Sequence, residues 1–188
     1  NSEVRVKDDN KSFSLEQVTL EVWYNPGTEG TGAGWRVVIN KAVNEWYLYI
    51  KDSQPMFFIN SDVNVATSPD KIPENKWIHL AGTYDGKEIK LYTDGELKAT
   101  NKYSGPILDR DCTLQIGSRH PNPVDDKGCA GNNLYWSPAG VRMDEVRVSN
   151  VARTQKEIQR SMGSGATAVD PSGKMATTWS LVRTRYFR

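Results

Sequence analysis

Between Ser118 and Gly140 the sequence sets two aromatic rings, Tyr135 and Trp136, among Arg119, His120, Asp125, Asp126, Asn132 and Asn133. Ring faces stack on the apolar faces of pyranoses, and fixed amide, carboxylate and guanidinium groups make paired hydrogen bonds to vicinal hydroxyls. That is the chemistry of a sugar-binding rim. Trp35 opens a strand directly after the glycine-rich 28–34 segment and can join such a rim from another side. The 118–133 stretch follows neither a helix nor a strand period, and long loops without structure of their own are usually functional in compact domains. The same residues also fit a plainer arrangement, in which Trp136 plugs one end of the fold and the acids solvate the loop.

Acid/base catalysis would need two placed carboxylates, and none are evident. Asp52, Asp62, Asp70, Asp85, Asp94, Asp109 and Asp111 fall at turns, where Asp is at home because its side chain bonds nearby backbone. His79 lies in the alternating register of a central strand and reads as a packed, hydrogen-bonded core residue. His120 lies in the long loop, solvated or touching a ligand. Neither belongs to a metal-spaced cluster, and no Gly-Xaa-Ser-Xaa-Gly or Cys-Xaa-Xaa-Cys occurs. The chain reads as a binding protein rather than an enzyme. Cys112 leads into a strand and Cys129 sits in the long loop. A disulfide between them would stabilise by about 3 kcal/mol through the unfolded state, and two buried thiols are the other reading.

The elements that must hold these groups are strands. Residues 75–97 read as three short strands joined by turns at Asp85-Gly86 and Asp94-Gly95, the strongest short-range hairpin signal. Trp77, His79, Ala81 and Thr83, then Ile89, Leu91 and Thr93, repeat with the period of a sheet with one buried face. Val18, Leu20 and Val22 share one face of an earlier strand, with Thr19, Glu21 and Trp23 opposite. Further strands are expected at Trp35–Ile39, Trp46–Lys51, Met56–Asn60 and Leu114–Gly117, an edge strand at Val4 and Val6, and a flexible loop over 28–34. Residues 61–75 read as a loop. At 188 residues the chain can bury a full core in one domain. Its 24 basic against 23 acidic residues, without a basic stripe, argue against a nucleic-acid partner. No apolar run is long enough to cross a membrane. The chain starts at Asn1, as a piece of a longer protein would, so the missing signal peptide carries no message about export.

The run Trp77-Ile78-His79-Leu80-Ala81-Gly82-Thr83-Tyr84-Asp85-Gly86 with Ile89-Lys90-Leu91-Tyr92-Thr93-Asp94-Gly95 resembles the middle of a laminin-G-like jelly roll of the concanavalin A-like lectin/glucanase superfamily. Phe13 to Pro26 resembles its opening strands, Leu114–Gly117 a late strand, and Val141–Val148 its last long strand. Thr154–Ile158 fits the short helix that follows. The resemblance implies an all-β, two-sheet antiparallel jelly-roll sandwich over 1–162, with one short helix near Thr154–Arg160. Residues 163–188 read as a linker and tail that packs on the sandwich or leads onward. It also implies a non-catalytic, lectin-like module of an extracellular or cell-surface protein, monomeric within a multidomain chain, binding a glycan or glycoprotein. A protein–protein adhesion or spacer module and a divergent glycoside hydrolase are the alternatives. The hydrolases of the superfamily carry Glu-Xaa-Asp-Xaa-Xaa-Glu on one strand. The nearest run here, Met143-Asp144-Glu145-Val146-Arg147, lacks the leading and trailing Glu. A structural Ca²⁺ is implied where first and last strands meet, with Asp144 as first ligand and Asp8 and Asp9 as further ones.

Overall fold

The computed structural model describes residues 4–8, 11–29, 31–41, 45–109, 112–119, 135–136 and 140–163. Two antiparallel sheets face each other. The first has six strands: β1 (Val4–Val6), β3 (Trp35–Asn40), β4 (Trp46–Lys51), β5 (Gln54–Ile59), β6 (Val65–Thr67) and β10 (Leu114–Ile116), in the spatial order β1-β10-β3-β4-β5-β6. The second has five: β2 (Val18–Asn25), β7 (Ile78–Tyr84), β8 (Glu88–Thr93), β9 (Glu96–Lys102) and β13 (Arg142–Ser149), in the order β13-β2-β7-β8-β9. A two-residue pair, β11 (Ser118–Arg119) with β12 (Tyr135–Trp136), stands apart, and α1 (Gln155–Gly163) is the helix among the described residues. This is the jelly-roll sandwich that the hairpin pattern implies.

The inner faces supply the main core. Val18, Leu20, Val22 and Tyr24 of β2 meet Leu48, Ile50, Phe57 and Ile59 of the opposing sheet, all within one apolar cluster. The β2 alternation reads as expected. In β7 the phase is the reverse of the expected one: Ile78, Leu80 and Tyr84 face the core, while His79, Ala81 and Thr83 face outward. Gly82 shares the inner face because the ring of Phe57 occupies the place of its side chain. The outward residues are nonetheless buried, since α1 covers them. Ile158 and Met162 pack on Ala81 and Tyr92. With both faces buried, alternation no longer tells inside from outside.

His79 therefore sits under the helix rather than in the main core. It stacks edge-on against Trp23, with ring centroids 5.3 Å apart, and its Nε2 lies 3.8 Å from Glu21. Burial, together with the Arg147 charge, lowers its pKa to about 4. Glu21 anchors the helix: the Ser161 hydroxyl donates to it, and Arg153 Nε lies 3.6 Å away. Thr154 and Glu157 form a reciprocal cap, with the Thr154 N–H donating to Glu157 at 2.7 Å and the Glu157 N–H to Thr154 Oγ1 at 3.4 Å. This places the helix start where the sequence does and carries its end three residues beyond Arg160. The Asp94-Gly95 turn takes φ of 50° and 73°, the two positive values that a two-residue hairpin turn demands. Strand β6 lies inside the stretch expected to be loop.

Candidate functional site

The six-stranded sheet carries a second apolar layer on the face turned away from the core. Along β4, Trp46, Leu48 and Ile50 point inward; Tyr47 and Tyr49 point outward and join Val37, Phe58, Trp35, Met56 and Val65. Tyr47 stacks on Phe58 with centroids 4.4 Å apart, and Trp35 meets Tyr49 edge-on at 6.1 Å. Polar groups pin the layer. The Tyr47 hydroxyl donates to Asp62, and the Tyr49 hydroxyl donates to Asn40 at 3.1 Å. Tyr47, Tyr49 and Phe58 are 4%, 2% and 1% exposed, whereas Trp35 at the start of β3 is only half-buried. Trp35 is thus the ring of this layer that a ligand can reach.

Its surroundings are fixed. Lys51, paired with Trp35 across the β3–β4 ladder, holds its ammonium 4.9 Å from the Trp35 ring centroid. Preceding Trp35, residues 31–34 are tied down rather than flexible as expected. The Gly34 N–H donates to Asp52 at 2.8 Å, the Gly32 N–H to Ser53 at 2.7 Å, and Thr31 to Glu74 at 3.0 Å. Arg36 braces the loop from within, donating to the carbonyls of Ala33 and Thr31 at 2.9 and 3.2 Å. Gly34 has φ of 100°, which a residue with a Cβ would resist.

The long loop begins and ends beside this ring. Strand β10 pairs antiparallel to β3 with Ile116 opposite Ile39, and Gly117 donates to Val38. The chain then runs on as β11 along β3, with Arg119 paired to Tyr135 and Ser118 to Trp136. Arg119, Tyr135 and Trp136 are thereby placed by backbone on the pair next to the strand that Trp35 opens; their side chains lie outside the described residues. So do His120, Asp125, Asp126, Asn132 and Asn133. Lys51 and the outer tyrosines were not singled out from sequence. The signal was available in Trp46-Tyr47-Leu48-Tyr49-Ile50, which is apolar on both faces and therefore announces two buried layers.

The expected calcium ligands do not come together. Asp8, after β1, is buried with its Oδ2 3.0 Å from the ammonium of Lys41, which also lies 3.5 Å from Glu45 and donates to the Cys112 carbonyl. A cation already occupies the place a metal would take. Asp144 is exposed in the other sheet, at a bulge between β13 and β2, and accepts the Glu145 N–H at 2.8 Å. Asp9 lies outside the described residues. Among the described residues no group of three or more His, Cys, Asp or Glu is arranged to hold a metal, so the residues present do not fit the ion. Cys112 is buried beside β10, and Cys129 lies outside the described residues.

Sheet topology and second aromatic layer together define a jelly roll of the lectin and glucanase kind. The chain belongs to the concanavalin A-like lectin/glucanases superfamily, whose laminin-G profile matches residues 1–159. Human pappalysin-1 is 27% identical over 143 residues, 71% of this chain and 8% of that protein's length. Among solved structures, a candidate carbohydrate-binding protein from Bacteroides ovatus superposes with a TM-score of 0.58 at 18% identity, covering 78% of this chain and 40% of that one. The binding domain of botulinum neurotoxin DC in complex with SialylT gives 0.61 at 15% identity, covering 86% and 39%. The same domain in complex with rat synaptotagmin II gives 0.60 at 14%, covering 86% and 40%. The chain therefore spans under half the length of these neighbours, and at these identities they establish its fold.

Proposed function

We propose that this domain is a non-catalytic carbohydrate-binding module of a larger, exported protein, and that the glycan rests against the Trp35 edge of the six-stranded sheet. The observation that carries the reading is the half-buried Trp35 ring, held between the tethered 31–34 loop and Lys51 and backed by buried Tyr49 and Phe58. A preorganised ring face loses little entropy on binding, which is what stacking on a pyranose requires. The β11–β12 pair brings the 118–140 segment to the same strand, so Arg119, His120, Asp125, Asp126, Asn132, Asn133, Tyr135 and Trp136 supply the polar rim in this reading. The carbohydrate-binding neighbours lend it support.

On the strand that bears the catalytic carboxylates in the family's hydrolases, Glu145 is instead paired with Arg147 at 2.6 Å and Asp144 is exposed. This favours binding over turnover. A second reading, recognition of a protein surface, draws on the neighbour solved with synaptotagmin. A glycan array run with and without calcium, beside a hydrolysis assay on β-glucans, separates the readings. Binding without turnover supports the module proposed here; a blank array transfers the weight to a protein partner, and turnover to a hydrolase. The Cys112–Cys129 bridge belongs to the same exported reading, and thiol titration of the unfolded, unreduced chain tests it.

A further inference from the structure

We infer that Asn10 is an N-linked glycosylation acceptor. Asn10-Lys11-Ser12 is the single Asn-Xaa-Ser/Thr tripeptide with a non-proline middle residue in the 188-residue sequence. A match of this kind acquires meaning from its setting, and the flanking residues provide one. On the N-terminal side Asp8 is buried against Lys41. On the C-terminal side Phe13 packs on the main core and meets Trp46 edge-on at 6.2 Å. The Phe13 N–H donates back to Asp8 Oδ1 at 3.2 Å, closing the stretch into a short loop pinned at both ends.

Between those anchors the described residues face water. Lys11 has φ of 54° and a side chain 67% exposed, and Ser12 is exposed in the turn that follows. The Ser14 N–H donates to the Lys11 carbonyl at 3.0 Å, so the hydroxyl-bearing third position of the tripeptide lies within a turn. Turns present the acceptor amide and the hydroxyl on one side of the backbone, and a bulky hydrophilic adduct is tolerated only at such a surface loop. In the reaction Asn10 Nδ2 forms a bond to the anomeric carbon of an oligosaccharide carried on a polyprenyl diphosphate. The bond from that carbon to the diphosphate oxygen breaks, the lipid diphosphate leaves with the electron pair, and the amide gives up one N–H proton.

The test is independent of what the domain itself binds. The full chain is secreted from cultured mammalian cells behind a cleavable leader, and its peptides are mapped by mass before and after peptide-N-glycosidase treatment in heavy-oxygen water. The expected result is one glycan, with Asn10 converted to a heavy-labelled Asp on release. Asn10→Gln and Ser12→Ala should each abolish it, and Ser12→Thr should retain it. Two substitutions at separate exposed positions guard against a folding artefact in either one. Secreted protein with unmodified Asn10, or a glycan that survives both Asn10→Gln and Ser12→Ala, would overturn the inference.

Discussion

At the scale of single residues, the buried groups behave as their partners dictate. Lys41 is fully buried and held by Asp8, Glu45 and the Cys112 carbonyl. Replacing it with Met leaves two carboxylates without their counter-ion in a dry site, which costs roughly 3–5 kcal/mol. A matching fall in the urea midpoint, with the m-value unchanged, is the expected outcome. Gly82 offers a second check. A Cβ there would lie 2.6 Å from Phe57 Cδ2, so Gly82→Ala should destabilise by about 1–3 kcal/mol through overpacking; Gly86→Ala, with open space around it, should cost only its backbone strain at φ of 90°. None of this was visible in the residue types alone. Lys41 and Asp8 are charged residues that composition assigns to the surface, and only the fold brings them together across the sequence.

At the scale of elements, alternation and turn chemistry carried most of the information. The β2 pattern, the two Asp-Gly turns and the Thr154–Glu157 cap are local signals, and each gives the right element in the right place. Strand β7 was legible as a strand but not in phase, because α1 buries its outer face and leaves Ile78 to Tyr84 buried throughout. Strand β6 was missed because three residues among polar neighbours carry too short a pattern, and its pairing to β5 is what makes it a strand. The helix cap is directly testable. Thr154→Ala removes a reciprocal cap, and about 1 kcal/mol of stability should go with it, read as a lowered midpoint in thermal unfolding.

At the scale of the whole molecule, the sandwich could be inferred from its hairpins, whereas the second aromatic layer could not, since a sequence period does not say what covers an outward face. One global consequence follows from His79. Its folded pKa, about 4, is below the ordinary value of 6.5, so between those values the unfolded chain binds a proton that the folded chain refuses. Stability from this residue is fully present above pH 6.5 and is lost as the pH falls toward 4. Denaturation midpoints should decline across that window in the native chain, and decline less in His79→Gln.

The claim on which the account rests is that Trp35 is the ring a glycan meets. It is half-buried, outside the main core and flanked by Lys51. The direct measurement is glycan-array binding by the native domain and by Trp35→Ala, with thermal unfolding recorded on both. The account predicts that the native domain binds, and that the variant loses at least tenfold in affinity, about 1.4 kcal/mol, while its melting temperature stays within a few degrees of the native value. A variant that binds as tightly as the native domain, or a native domain that binds no glycan at all, would contradict it.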